Sequence, residues 1–444
     1  MRKTIFGCLG AAAVAFALQF TMADVQAGFF NTCNPCDEVC SPCDEIACDP
    51  CEPVCGVRAG GWFLNGHMEA GFFANEYGQK STYNSYYRDQ DWDSGNTNLL
   101  QNTRLTGAQV NQVYLSMGKK VDGRRGLDIG GTVDFTWGSD AYMVQAAGME
   151  YNAGHWTTGQ SNIDTRWPVY GRWGQGDYYS SFAQAFLEAE YGRWNVKAGK
   201  FYAPFGSSHY KSTENFFYSW ASTAIISPHV GGGVYTTYEV SDRLSVIGGW
   251  VQPEEFGESS DNNAVLGGFV WTPSKRFSLQ YSFAAGKDKY GTLIYGDSVH
   301  RTLGIGSYDD YYVHTLLATT QFSKRLKYVF DWTYFEYRTK ASGFVANSAY
   351  MWGLNNELIY QINNRWAVGT RFGMLNDYFG DEENWYTIGL GANWTPNKWL
   401  TVKPEIRYDW FSKGDNYQMT PFNAVAGPSK KDQFSGGMSA VVKF

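Results

Sequence analysis

Residues 33–55 are the part of the chain whose residue types could do chemistry, because Cys-x-x-Cys pairs recur there at short spacing. The segment reads CNPCDEVCSPCDEIACDPCEPVC and repeats a Pro-Cys-acid unit three times. Such pairs are typical of zinc and iron–sulfur sites, and in an oxidising compartment the same residues form disulfides. A plain spacer is the third interpretation, since a segment rich in proline and acid cannot build a core of its own. The candidate disulfide or metal residues are Cys33, Cys36, Cys40, Cys43, Cys48, Cys51 and Cys55.

The number of cysteines bears on the disulfide interpretation. The chain has 8 cysteines, and all except Cys8 lie in this segment, which leaves an odd number. An odd number leaves at least one thiol for a bond to another molecule. A disulfide-linked partner is therefore one prediction, and metal binding remains an alternative.

Residues for enzyme chemistry are scattered along the chain. The 6 histidines show no His-Glu-x-x-His pattern. A membrane phospholipase would need a Ser/His constellation on the lipid-facing wall, and an isolated histidine such as His314 is more often a girdle residue. The glycines at 231–233 lack the strand-to-helix context and the Lys-Ser/Thr of a phosphate loop. The net charge of -7 argues against nucleic acid as a partner. We therefore predict neither an enzyme nor a cofactor.

The first residues have the anatomy of a secretory signal peptide. Arg2 and Lys3 precede an apolar stretch, and small residues around Ala27 offer a cleavage site. A membrane anchor is the alternative, but the stretch is short for a span and leads into a polar segment. The predicted organisation is a signal peptide at 1–27, a Cys/Pro/acid-rich periplasmic segment at 28–56 and one domain at 57–444.

The composition of that domain points to a membrane barrel. Aromatic residues make up 17% of the chain, with 31 Tyr, 29 Phe and 17 Trp, although the mean hydropathy is only -0.38. Outer-membrane barrels combine these properties because aromatic girdles lie at both interfaces while only alternate residues face lipid.

Strand alternation is clearest near the C-terminus. Between Leu400 and Trp410, the apolar Val402, Ile406 and Tyr408 alternate with Lys403, Glu405, Arg407 and Asp409. One face of this strand must be in water while the other is in an apolar medium. Pro404 lies within the strand and cannot donate to the ladder, so we expect a β-bulge there.

A short turn motif, with a basic residue before an aromatic or leucine, separates pairs of such strands. It appears as YGRW, SDRL, SKRF, SKRL, NNRW and NKWL. A soluble meander is the alternative, but short turns at one end and long loops at the other are typical of outer-membrane barrels. We predict an all-β fold, a transmembrane antiparallel β-barrel of about 16 strands with short periplasmic turns and long extracellular loops. The predicted strand starts are Trp62, Gln109, Leu127, Ser181, Trp194, Gly231, Leu244, Ala264, Phe277, Tyr311, Leu326, Tyr350, Trp366, Trp385, Leu400 and Gln433.

Four stretches carry a resemblance to a known family: GWFLNGHMEAGFFAN at 61–75, WNVKAGKFYAPFG at 194–206, ENFFYSWAS at 214–222 and the terminal Phe444. Over residues 57–444 the chain resembles the OmpL-like β-barrel porin family of planctomycetes and other Gram-negative bacteria. The resemblance implies an outer-membrane porin, a water-filled channel for passive diffusion of small hydrophilic solutes and ions. It also implies that Phe444 is the signal read by the barrel-assembly machinery, and wide porins often form homotrimers. The cysteine segment is not part of the family pattern, so the alternative function is a structural envelope barrel anchored by intermolecular disulfides.

Alternation also predicts which side chains line the lumen. Acidic members outnumber basic ones, so we expect a weak cation preference; the alternative is an inner salt-bridge lattice without selectivity. The predicted lining residues are His67, Glu69, Asp128, Asp134, Glu188, Glu190, Asn195, Lys197, Asp331, Glu357, Arg371, Lys403, Glu405, Arg407 and Asp409.

The connection at 207–229 is predicted to be the constriction. In sixteen-stranded porins the loop at this place commonly folds into the barrel, and the resemblance implies the same here. His209, Lys211 and Glu214 would line the eyelet together with Tyr218. An apolar face would pack on the wall, since an exposed loop would not keep it in water; its residues are Phe216, Phe217, Tyr218, Trp220, Ile225 and Ile226. A subunit contact or a strand extension is the alternative. The connections at 79–107 and 142–180 are polar, and we expect them to be solvated.

Overall fold

The structure, a computed structural model, describes most of the predicted domain. The described residues are 61–76, 107–146, 149–150, 178–253, 263–287, 308–339, 348–377, 383–412 and 432–444. The predicted signal peptide and the cysteine segment lie outside these ranges.

Sixteen strands account for nearly all regular structure in the described ranges. The strands are β1 (Trp62–Asn75), β2 (Gly107–Lys119), β3 (Asp128–Gly138), β4 (Tyr179–Tyr191), β5 (Trp194–Tyr202), β6 (Val230–Ser241), β7 (Leu244–Pro253), β8 (Asn263–Ser274), β9 (Phe277–Lys287), β10 (Tyr308–Gln321), β11 (Leu326–Thr339), β12 (Ser348–Asn363), β13 (Trp366–Asp377), β14 (Glu383–Asn397), β15 (Leu400–Phe411) and β16 (Asp432–Lys443). Between these strands the described connections contain four short 3-10 helices, at Gly123–Arg125, Ser139–Val144, Ser212–Glu214 and Ser222–Ile226.

The strands form one closed antiparallel barrel, which confirms the predicted fold. Each strand pairs with its sequence neighbours, and β1 closes the ring on β16 through pairs such as His67 with Lys443. Closure leaves no sheet edge, so the backbone groups of the strands are satisfied as a bilayer requires. The predicted starts agree well: the largest difference is at β10, which begins at Tyr308 rather than Tyr311.

The two faces of the barrel differ as alternation predicts. Large apolar side chains such as Ile129, Leu187 (70% exposed) and Ile406 are exposed on the outside, where lipid would cover them. On β15 the charged side chains of the opposite face, Glu405 and Arg407, are buried inside the barrel. No helix in the described ranges is both long and apolar enough to cross a bilayer.

The short turns lie at one end of the barrel and carry aromatic residues. The β4–β5 turn needs only Gly192 and Arg193, and Gly192 has a φ of 58°, the left-handed conformation that favours glycine. Trp366 and Trp394 stack beside two other such turns, with ring centroids 5.9 Å apart. This end therefore has the aromatic girdle of a membrane interface.

The predicted bulge at Pro404 is wrong. The pairing with β16 runs without a shift through Pro404 and Met438. On the other side, Gly391 pairs with Glu405 and Trp394 pairs with Val402, which is the same offset on both sides of the proline. The strand tolerates the missing N–H donor without an inserted residue.

Candidate functional site

The connection between β5 and β6, residues 203–229, lies inside the barrel; we refer to it as the inner loop. The backbone N–H and the hydroxyl of Ser207 donate to Asp331 Oδ2 on β11, each over 2.8 Å. The backbone N–H of Ser212 donates to Gln112 Oε1 on β2, over 3.1 Å. Because β2 and β11 lie on opposite sides of the sixteen-strand ring, one segment can reach both only from the inside.

Charged side chains of the wall hold the middle of the inner loop. Glu405 accepts hydrogen bonds from the backbone N–H (2.8 Å) and the hydroxyl (2.6 Å) of Ser219. Arg371 donates to the carbonyl oxygens of Ser219 (2.8 Å) and Trp220 (3.1 Å). Lys403 donates to the carbonyl oxygens of Ser212 and Asn215. Hydrogen bonds to charged groups are the stronger class, so the loop is held in one position.

Glycines of the wall make room for the aromatic side chains of the inner loop. A Cβ added at Gly369 on β13 would lie 2.6 Å from the Phe216 ring, and one at Gly391 on β14 would lie 2.9 Å from the Phe217 ring. The two rings contact each other edge to face, and the guanidinium of Arg371 lies 4.2 Å from the Phe217 ring centroid. The apolar face of the loop is therefore packed on the wall, and bulkier wall residues would displace it.

A second segment, described at residues 139–146 and 149–150, packs beside the inner loop, and sequence reasoning missed it. Met143, Val144 and Ala146 belong to the same buried cluster as Tyr210 and Trp220 of the inner loop. The expectation that the 142–180 connection is solvated is wrong for its described beginning. The apolar residues Ala141, Met143 and Val144 are the signal that could have indicated burial.

Polar groups of this second segment are tied to the strands. Asp140 accepts hydrogen bonds from Asn111 (3.3 Å) and Gln112 (3.1 Å), and burial raises its pKa well above the ordinary value. Glu150 pairs with Lys200 over 2.8 Å, and both side chains are buried. Two inward segments rather than one therefore pack inside the barrel.

The predicted lining residues fall into two groups. The first group shares the inward face but is buried, so its members do not face open lumen; Arg371 pairs with Glu357 (2.8 Å) and Arg407 with Asp409 (2.7 Å). Its members are His67, Glu69, Asp134, Asp331, Glu357, Arg371, Lys403, Glu405, Arg407 and Asp409. The second group is partly exposed on β3 to β5 and consists of Asp128, Glu188, Glu190, Asn195 and Lys197.

The four residues predicted for the constriction have different environments. His209 and Glu214 are about half exposed, and His209 Nδ1 lies 3.4 Å from Glu214 Oε2. Lys211 is 26% exposed. Tyr218 is buried and donates to Asn111 Oδ1 over 3.0 Å, so it anchors the loop. The structure thus brings three predicted eyelet side chains to the open surface of the loop.

Phe444 lies where the barrel closes. Its backbone N–H donates to Gly66 O, and its carbonyl oxygen accepts from Gly66 N, each over 2.9 Å. Its role in assembly stays a prediction. So do the disulfide and metal roles of the cysteine segment, which lies outside the described residues; within the described ranges no group of three metal-ligating side chains occurs.

Comparison with known proteins agrees with this architecture. The family described as "Putative beta-barrel porin-2, OmpL-like" matches residues 64–444. The anion-selective porin from Comamonas acidovorans has a similar structure, with a TM-score of 0.55 at 10% identity over 86% of this chain and 99% of that one. In-vitro folded OmpT, an outer membrane protein of Vibrio cholerae in its trimer form, gives a TM-score of 0.50 at 12% identity over 87% and 100% of the two chains. At such identities these structures show the fold alone, and no curated protein matches the chain.

Proposed function

Because the chain belongs to this OmpL-like β-barrel porin family, we propose that it forms a water-filled channel in the outer membrane for passive diffusion of small hydrophilic solutes and ions. Sixteen strands make a barrel wide enough for an aqueous channel. The observation that carries the proposal is the inner loop, which would reduce such a channel to a narrow passage without blocking it.

The position of the inner loop favours a permanently narrowed channel over a gated one. Its backbone is held by Glu405, Arg371, Lys403 and Asp331, all of them buried. Each of these charged groups would lose its hydrogen bonds to the loop if the loop moved away, which makes displacement costly. The open passage is expected on the side of β3 to β5, where inward polar residues keep partial exposure.

Conductance in planar bilayers tests the proposal. The wild-type protein should give a stable open channel, and deleting residues 212–222 should raise its conductance because the passage is then limited by the barrel. The double variant Lys211→Ala/Glu214→Ala should instead shift ion selectivity with little change in conductance. Refolding of each variant is checked by heat-modifiable migration on gels. If a folded deletion variant conducts like the wild type, the inner loop is not the constriction.

We extend the proposal to a homotrimer, which wide porins often form; OmpT of Vibrio cholerae has a trimer form. Light scattering of the detergent-solubilised protein should then give three times the chain mass, and a monomer would remove this part of the proposal. The disulfide-anchored envelope barrel stays a prediction. It would appear as high-mass species on gels that a reductant dissolves.

A further inference from the structure

Lys197 has an unusual environment for an inward lysine. It is the fourth residue of β5, close to the short-turn end of the barrel. Its Nζ atom lies 4.9 Å from the ring centroid of Phe186 and 5.9 Å from that of Tyr235. Glu188 Oε1 is 3.6 Å away, and the lysine side chain remains 27% exposed. The ammonium group is thus flanked by two rings and one carboxylate and still reaches the lumen.

Lys211 of the inner loop has the same arrangement. Its Nζ atom lies 5.2 Å from the ring centroid of Tyr114 and 5.9 Å from that of Tyr202. Asp134 Oδ2 is 3.7 Å away, and the lysine side chain is 26% exposed. Two lysines, one at the constriction and one nearer the short-turn end, therefore present the same chemistry to the lumen.

The carboxylates beside these lysines are satisfied by other donors. Asp134 accepts hydrogen bonds from Tyr114, Ser116 and from Gln184 Nε2, the last over 2.6 Å, and its side chain is fully buried. Glu188 accepts one from Asn195 Nδ2 over 2.9 Å. Both carboxylates therefore have hydrogen-bond donors other than the lysines.

The two ammonium groups, in contrast, lie beyond hydrogen-bond distance of these carboxylates. Within the described part of the chain neither Lys197 nor Lys211 donates a hydrogen bond. The buried Lys403 behaves differently, because its ammonium group donates to the carbonyl oxygens of Ser212 and Asn215. Lys197 and Lys211 therefore keep donors that a solute could use.

We propose that Lys211 and Lys197 form a two-step path for small organic anions that carry a carboxylate or a phosphate. An ammonium group has three donors and no acceptor, so the group it binds must supply acceptor oxygens. The flanking rings give the apolar part of such a solute a surface to contact. This inference rests on the proposed channel function and names its preferred solutes.

The burial of most lining residues weakens the basis for the cation preference expected from the sequence, because only Asp128, Glu188 and Glu190 of the predicted acidic residues keep partial exposure. That expectation gave every inward charge the same weight. Ten of the predicted residues are buried, and Arg371–Glu357 and Arg407–Asp409 compensate each other there. Permeating ions are therefore governed by the exposed groups, since buried pairs contribute little net field.

Reversal potentials in planar bilayers test this path. They are measured across gradients of KCl, potassium benzoate and potassium phosphate for the wild type, K197Q, K211Q and the double variant. The anion-to-cation permeability ratio should fall about threefold for each lysine removed. The matched control is K119Q: Lys119 is also 27% exposed, but its ammonium group is bound by Asp128 and by the carbonyl oxygen of Ile129. Its ratio should stay at the wild-type value.

The possible results separate the two proposals. A folded wild-type protein without any conductance would overturn the channel function itself. A conducting channel whose ratio is unchanged in both single variants and in the double variant would overturn the anion path, as would an equal fall in K119Q. If a glutamine variant does not fold, K197M or K211M replaces it; these variants also remove the charge and should lower the ratio in the same way. The benzoate and phosphate gradients show which oxyanion the path prefers.

Discussion

Ser219 of the inner loop donates both its backbone N–H and its hydroxyl to the carboxylate of Glu405 on β15, over 2.8 Å and 2.6 Å. The two residues are 186 positions apart in the chain. Because the acceptor is a buried carboxylate, both bonds are of the charge-assisted kind. This contact fixes the centre of the inner loop against the wall, and the first prediction concerns its removal.

Glu405→Gln should loosen the inner loop without unfolding the barrel. The amide retains one acceptor oxygen for Ser219, so one of the two bonds is lost, at a cost of about 2 kcal/mol of docking free energy. Single-channel records should show frequent steps to a higher conductance. Glu239→Gln, at an exposed position near the end of β6, is the control and should give quiet records. If neither variant shows such conductance steps, the contact between Ser219 and Glu405 is not what holds the inner loop in place.

Gly391→Ala should displace Phe217 and raise the mean conductance. The new Cβ would lie 2.9 Å from the Phe217 ring, closer than such atoms approach in proteins, so the ring must move. The matched control lies two residues earlier on the same strand: at Gly389 the nearest atom to an added Cβ is 3.6 Å away, an ordinary contact. Gly389→Ala should therefore conduct like the wild type. Equal conductance in the two variants would contradict the packing of Phe217 on this wall.

Acid should weaken the docking of the inner loop through His229. Burial lowers the pKa of His229 to about 3 from an ordinary value of 6.5. The neutral His229 therefore contributes fully to the docking free energy of the inner loop above pH 6.5. This contribution is lost as the pH falls toward 3, by roughly 1.4 kcal/mol per pH unit. Current noise should increase between pH 6 and pH 4 in the wild type and less in His229→Gln. Identical pH profiles would assign the acid response to other groups.

Deleting Phe444 should lower the amount of protein assembled in the outer membrane. The residue closes the β1–β16 seam through its two backbone bonds to Gly66, but its side chain is 55% exposed. We expect a loss of about tenfold in cells, while the same variant refolded in detergent should still form a barrel, because most pairs between β1 and β16 remain. Phe444→Tyr, which keeps a terminal aromatic residue, is the control. If the deletion variant assembles in normal amounts, Phe444 is not the assembly signal.

The sequence alone determined the barrel and its strands. Alternation such as that of β15 marks which side chains face lipid, and turns such as that between Tyr191 and Trp194 mark where each hairpin reverses. Both signals are local, because a strand has a period of two residues and a tight turn involves only a few. The predicted position of the constriction at 207–229 came from the family resemblance and from the apolar side chains of this connection, which favour burial over exposure to water.

Only the tertiary structure decided which inward charges are exposed. Alternation places Glu405 and Lys197 on the same inner face, yet one is buried under the inner loop and the other reaches the lumen. The same limit explains the inward segment at 139–146, whose burial depends on contacts with Tyr210 and Trp220. The direction of a side chain follows from local backbone geometry, which repeats along a strand. Burial depends instead on which distant segment covers the residue, and such a contact leaves no periodic pattern in the sequence.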